Sequence, residues 1–153
     1  MSNKTQTSTR MTAMDQFGWN VCNDQDLYCI WGIATLEEQL KDDIIKKSLE
    51  YLIQTVPILN SKPITNWLYG YWQFIEKKNV EDLILRIKTE TDEAADKELK
   101  KVFLNPINAK ELSMIRIISI DGPLKHYFVI QIHHLAADGE GLKRICVRFA
   151  EIY

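Results

Sequence analysis

Two adjacent histidines, His133 and His134, end an apolar run and are followed by Leu-Ala-Ala and then by Asp138 and Gly139. The unperturbed pKa of histidine lies nearest neutrality among the side chains, which suits it to take a proton from an attacking hydroxyl or amine. Successive side chains of a strand point to opposite faces, so only one of the two histidines can face a given cleft. The sequence therefore predicts one chemical and one structural histidine.

Other interpretations of these residues stay open on local chemistry alone. The two histidines could be hydrogen-bonded core residues at a strand end, and Asp138 could be only the N-cap of the following helix. A metal site made of both histidines and Asp138 is disfavoured, because adjacent strand histidines cannot easily aim at one ion. His126 is a further possible ligand, but we expect it to be an exposed strand residue. We therefore predict no metal site.

Strands are expected where β-branched and aromatic residues are concentrated. Such segments cover residues 27–35, 67–75, 80–89, 112–120 and 126–132. The last two are joined by Asp-Gly-Pro, a strong turn signal, so we expect them to form an antiparallel hairpin.

Three further segments carry apolar residues at helical spacing. The first covers residues 36–56, where Thr35 and Glu38 have the spacing of a capping box and a proline follows the last turn. The second covers residues 91–103, and the third covers residues 142–153. The third has no stop signal at its end, so we expect the sequence to be cut inside a longer chain.

Length and composition limit the possible classes of protein. A chain of 153 residues with 46% apolar residues can bury one core, and we expect a single domain over residues 1–153. The formal net charge of −2 argues against a nucleic-acid partner. We expect a cytoplasmic protein with no membrane span, since no apolar run reaches the required ~18 residues and no signal peptide is recognisable. Cys22, Cys29 and Cys146 are expected to be reduced thiols.

Residues 133–139 match the pattern H-H-x-x-x-D-G, and the chain around them resembles a known family. It is similar to the amino-terminal half of the condensation-domain and chloramphenicol acetyltransferase-like superfamily of thioester-dependent acyltransferases. The strand before the motif, the helix after it, and Thr55-Val-Pro-Ile-Leu-Asn60 after the first long helix carry the resemblance beyond the motif. It covers nearly the whole chain and is weakest in residues 1–25.

The resemblance implies an α+β fold with a mixed, largely antiparallel sheet covered by helices. It also implies that His134 is the general base that deprotonates or positions a hydroxyl or amine for attack on an acyl thioester. His133 would be a packing residue, Asp138 would hold the loop in shape by pairing with an arginine, and Gly139 would allow close approach of acceptor or acyl group. The co-substrate would be acyl-coenzyme A or an acyl-phosphopantetheine carrier.

Members of this superfamily resemble two similar halves that enclose the histidine in a tunnel. By resemblance, the partners of this chain would be a missing carboxyl-terminal half and an acyl carrier protein, and residues 1–153 alone would be inactive. A non-catalytic binding or assembly module of the same fold is the alternative. A third interpretation is an unrelated α/β protein, in which His134 would face solid core.

Overall fold

Two β-sheets and four α-helices make up the described part of the chain, which in this computed structural model comprises residues 8–22, 28–65, 69–75, 79–108 and 113–153. The strands are β1 (Ser8–Arg10), β2 (Cys29–Leu36), β3 (Ser61–Thr65), β4 (Gly70–Phe74), β5 (Ile84–Lys88), β6 (Ile115–Asp121) and β7 (His126–His133). The helices are α1 (Ala13–Cys22), α2 (Asp42–Thr55), α3 (Asp92–Val102) and α4 (Gly139–Ile152). Short 3₁₀ helices cover Pro57–Asn60 and Val80–Leu83.

The larger sheet has the strand order β2-β7-β6-β5. β7 pairs antiparallel with β2 and with β6, whereas β5 runs parallel to β6. A parallel pair needs a crossover connection, and α3 lies within it. The predicted α+β fold with a mixed, largely antiparallel sheet and covering helices is confirmed.

Helices pack on both faces of this sheet. On one face, Leu49 of α2 and Phe149 of α4 join Ile130 and Ile132 of β7 in the main hydrophobic core. On the other face, α3 packs on a second cluster that includes Val129. Because β7 is covered on both faces, its sequence is apolar almost without interruption.

The smaller sheet has the order β1-β4-β3, and both of its strand pairs are antiparallel. Trp72 of β4 is buried against Met11, Trp19 and Met114. Its indole N–H donates to a carboxylate oxygen of Asp15 at the start of α1, over 3.3 Å. Strands β1 and β3 and helix α1 are not among the elements predicted from the sequence.

The predicted start of the long helix is wrong. Thr35 and Leu36 belong to β2, where they lie opposite Tyr127 and His126 of β7, and α2 begins only at Asp42. A capping box contributes about 1 kcal/mol, whereas continuation of the strand satisfies several backbone groups at once. Pairing across the sheet therefore overrides the local helix signal.

The other predicted elements are found with shifted ends. The segment 80–89 forms a 3₁₀ helix before strand β5, and Gly70–Phe74 forms the described strand within the predicted segment 67–75. Residues 66–68, 76–78 and 109–112 lie outside the described residues. The β6–β7 hairpin is confirmed, with Asp121 paired to His126 beside the turn.

None of the helices in the described ranges combines the length and the apolar character that a membrane crossing requires. Cys29 is buried and Cys146 is half-buried, and both are thiols outside any disulfide. The side chain of Cys22 lies outside the described part of the chain.

Candidate functional site

The end of β7 places the two adjacent histidines in different environments. His133 is the last residue of the strand and is only 5% exposed, and its backbone N–H donates to the carbonyl of Met114 over 2.9 Å. The backbone N–H of His134 donates to the carbonyl of Tyr28 over 2.8 Å, and the residue is half-buried. His133 is therefore buried and His134 half-buried, while the division into a structural and a chemical histidine stays a prediction.

His133 is held as a neutral ring. Its Nδ1 accepts a hydrogen bond from the backbone N–H of Leu135 over 3.3 Å, so in the neutral form the ring proton is on Nε2. Burial and, second, the charge of His134 lower the pKa of His133 to about 4. The neutral ring of His133 accepts a hydrogen bond from the backbone N–H of Leu135 and so stabilises the turn.

Acid is expected to destabilise the protein through His133. The folded-state pKa of about 4 lies below the unfolded value of 6.5, so the stability that the neutral ring contributes is fully present above pH 6.5. As the pH falls from 6.5 to 4, the imidazole of His133 is protonated in the unfolded chain but stays largely neutral in the folded protein. This difference lowers the free energy of unfolding by about 3 kcal/mol. Urea denaturation between pH 7 and pH 4 measures this loss.

His133→Asn is the matched control for this pH dependence. The Asn Oδ1 can take the place of Nδ1 as acceptor for Leu135, but the amide does not titrate. The difference in stability between the two proteins should therefore vary with pH between 6.5 and 4. An unchanged difference over that range would show that His133 is not buried as a neutral ring.

Tyr28 is a site residue that the sequence analysis did not single out. Its ring lies against that of His134, with 4.7 Å between the centroids and 37° between the planes. Its place beside His134 follows from the antiparallel pairing of β2 with β7, a long-range contact that no local sequence signal indicates. Tyr28 thus forms one exposed wall beside His134 and fixes its backbone.

Asp138 is the N-cap of α4. One carboxylate oxygen accepts from the backbone N–H of Gly141 over 2.7 Å, and the Asp138 carbonyl accepts from Leu142 over 2.8 Å. Within the described residues no arginine lies within salt-bridge distance of this carboxylate. The capping interpretation accounts for the geometry of Asp138 in this chain.

The two glycines after Asp138 have different surroundings. A Cβ added at Gly141 would lie 3.0 Å from Ala137 and 3.2 Å from the capping oxygen of Asp138, whereas one at Gly139 would meet nothing within 4 Å. The space beside Gly139 is therefore open in this chain. Its role in close approach of acceptor or acyl group stays a prediction.

Helix α1 positions the loop between β7 and α4. A Cβ on Gly18 would lie 2.8 Å from a terminal methyl carbon of Leu135, so a side chain at residue 18 would displace this leucine. Leu135 also packs beside the cluster around Trp72. Helix α1 and the smaller sheet therefore pack against the turn that follows His134.

The prediction for His126 is wrong. This residue begins β7, at the strand end far from His134, and its side chain is largely buried with Nδ1 3.0 Å from a carboxylate oxygen of Asp121. The other oxygen of Asp121 accepts from Gln39 over 2.9 Å. Across the described ranges no three His, Cys, Asp or Glu side chains come together as a metal site.

An apolar cavity of about 350 Å³ lies between strands β2 and β7 and the last turns of α4. Its walls include Gly32, Phe128, Cys146 and Phe149. A Cβ on Gly32 would lie 2.5 Å from the Cys146 sulfur, so α4 touches the sheet directly at that point. Burial raises the pKa of the Cys146 thiol, which makes it a packing residue at neutral pH.

Comparisons with known proteins give matches among solved structures. No protein-family model matches the sequence, and no curated protein matches it. The starter condensation domain of rhizomide synthetase superposes with a TM-score of 0.78 at 16% identity, covering 97% of this chain and 39% of that one. The first condensation domain of the calcium-dependent antibiotic synthetase, in complex with a substrate analogue, has a TM-score of 0.75 at 14% identity, over 98% and 40%.

A mutant of the same rhizomide synthetase domain, solved in complex with C8-CoA, matches with a TM-score of 0.79 at 16% identity, over 96% of this chain and 35% of that one. This chain therefore spans well under half the length of the structures it matches. Nearly all of it follows one continuous part of the condensation-domain, chloramphenicol acetyltransferase-like fold. At identities of 14% and 16%, these superpositions establish the fold alone.

Proposed function

Because the chain has the fold of a condensation-domain subdomain, we propose that it is the amino-terminal half of an acyltransferase in which His134 is the general base. The ring takes the proton of an acceptor hydroxyl or amine as that group attacks the carbonyl of an acyl thioester. The new ester or amide bond forms as the carbon–sulfur bond breaks, and the proton passes to the departing thiolate. The donor is acyl-coenzyme A or an acyl-phosphopantetheine carrier.

The contrast between the two histidines is the observation that carries this proposal. A general base must be accessible and free to change its protonation state, and His134 lies half-buried beside the exposed ring of Tyr28. His133 is buried, accepts from Leu135, and has its pKa lowered to about 4. The assignment of His134 as base and His133 as packing residue rests on this difference.

The neighbouring groups support the turn without touching the reacting atoms. Asp138 caps α4 and so fixes where the loop after His134 ends, while Leu135 anchors the loop against α1. Open space beside Gly139 leaves room for an acceptor or acyl group. A second subdomain would supply the opposite wall of the tunnel, the arginine for Asp138 and much of the donor site.

The chain alone is expected to show no acyl transfer. Half of a tunnel cannot hold donor and acceptor together, so most of the rate gained from positioning two reactants is lost. The measurement is release of free thiol from acetyl-coenzyme A with hydroxyl and amine acceptors, compared with a protein in which the chain is joined to a carboxyl-terminal subdomain. Sustained turnover by residues 1–153 alone would contradict this proposal, and no turnover by the joined protein would favour a binding or assembly module.

A further inference from the structure

Arg116 is a charged residue of the sheet that the proposed function does not use. It lies in β6 directly opposite Gln131 of β7, on the face covered by α3. It is half-buried, and among the residues that the structure describes it has no carboxylate within 4.0 Å. Burial lowers the pKa of its guanidinium, and the nearby Cys29 opposes this effect without cancelling it.

Arg116 opens onto a cavity of about 210 Å³ between the β5 edge and the carboxyl-terminal half of α3. Most of the wall is aliphatic, from Leu85, Ile87, Val102 and Ile118. The other side chains around it are charged or polar.

Two of these charged side chains, Lys101 and Glu98, compensate each other over 2.6 Å between Nζ and a carboxylate oxygen. Among the described charged side chains of this wall, only the guanidinium of Arg116 has no carboxylate within 4.0 Å.

The guanidinium of Arg116 shares a backbone carbonyl acceptor with the side chain of Gln131. One of its nitrogens donates to the carbonyl of Asn105 over 3.3 Å, and the Gln131 side-chain amide donates to the same carbonyl over 3.1 Å. An arginine carries five N–H donors in a planar fork, so further donors remain for a ligand. A positioned fork at an apolar cavity suits a planar anion that carries a hydrocarbon group.

We propose that this cavity binds a small aliphatic carboxylate, with its two oxygens on Arg116 and its hydrocarbon against Leu85, Ile87 and Ile118. The volume is below the roughly 300–1,000 Å³ of sites for drug-sized molecules, so the ligand has a short chain. A single uncompensated cation matches a monoanion, whereas a strongly hydrated phosphate dianion would lose solvation to aliphatic walls. This site is separate from His134 and does not depend on the proposed acyl transfer.

Titration calorimetry of the full chain with sodium hexanoate tests the proposal. We expect a dissociation constant on the order of 1 mM, as for other fragment-sized ligands. Acetate, which lacks the hydrocarbon, and hexan-1-ol, which lacks the charge, should each bind at least about tenfold more weakly. Equal affinity for acetate, or tighter binding of inorganic phosphate, would overturn the assignment to an aliphatic carboxylate.

The position of the ligand is read from methyl resonances of the protein during the same titration. Shifts should be concentrated on Leu85, Ile87, Val102 and Ile118. Shifts concentrated on Ile33 and Ile130 would place hexanoate in the cavity beside Cys146 instead and would overturn the proposal.

Arg116→Gln should weaken hexanoate binding by about 10- to 100-fold, because a charge-assisted pair is lost. The matched control is Arg144→Gln, which removes an exposed arginine paired with Glu140 on α4 and should leave the affinity unchanged. Leu85→Glu is a second variant at an exposed strand position, where the new carboxylate can occupy the Arg116 fork and exclude the ligand. Wild-type affinity in both Arg116→Gln and Leu85→Glu would overturn the proposal.

Discussion

Replacing His134 by alanine should lower the rate of acyl transfer by about 10²- to 10⁴-fold in a protein in which this chain is joined to a carboxyl-terminal subdomain. That range is what a positioned general base contributes, and the adjacent His133 cannot take over this role, because it is buried with its Nδ1 engaged by Leu135. The measurement is kcat for thiol release from the acyl thioester at saturating acceptor. Unfolding of the variant is followed in parallel.

Asp138→Ala is the comparison for this result. It removes the cap on Gly141 and should cost about 0.5–2 kcal/mol in unfolding free energy, with a fall in rate only in proportion to the protein unfolded. His134→Ala should instead lose activity while remaining folded, since His134 is half-buried and its recorded hydrogen bond is made by the backbone. A His134→Ala protein that transfers acyl groups at the normal rate would exclude this histidine as the base.

Ile132→Ala should destabilise the fold by about 2–5 kcal/mol. Ile132 is fully buried in β7, immediately before His133, and it packs in the core between α2 and α4. Truncation removes apolar contacts and leaves a cavity between helices that cannot fully collapse onto the sheet. Urea denaturation at pH 7 measures the change.

Ile64→Ala is the matched control for this substitution, because Ile64 also lies in a strand but is 44% exposed. The same change of side chain there should cost less than about 1 kcal/mol. Equal losses at the two positions would mean that β7 is not the buried centre of the sheet. A small loss at both would contradict the core as described.

The parts predicted well from sequence are those in which local pattern and tertiary contacts agree. The β6–β7 hairpin has apolar strands and a strong turn signal, and Thr91 caps α3 by accepting from Ala94 over 3.1 Å. β7 ends at His133, and His134 is the first residue of the following turn, so strand alternation does not account for their different burial. In the hairpin and in α3 the local pattern and the long-range contacts favour the same structure, so the local signal is sufficient to predict it.

The parts that sequence did not predict depend on partners far away in the chain. The helix signal at Thr35 loses to pairing with Tyr127, and no local rule places Tyr28 beside His134. Helix α1 is a partial exception. Thr12 and Asp15 each accept from the other's backbone N–H, over 3.1 Å and 2.8 Å, which is a recognisable helix-start signal.

The pairing of β2 with β7 has a consequence for the order of folding. Cys29 lies opposite His133, so the hydrogen bonds of β2, the first strand of the larger sheet in sequence, can form only once β7, the last, is present. Contacts between residues this distant in sequence slow folding, because closing the intervening loop costs conformational entropy before the contacts can stabilise the chain. During synthesis the apolar β2 segment emerges long before its partner, so we expect the Tyr28–His134 contact to form late in folding.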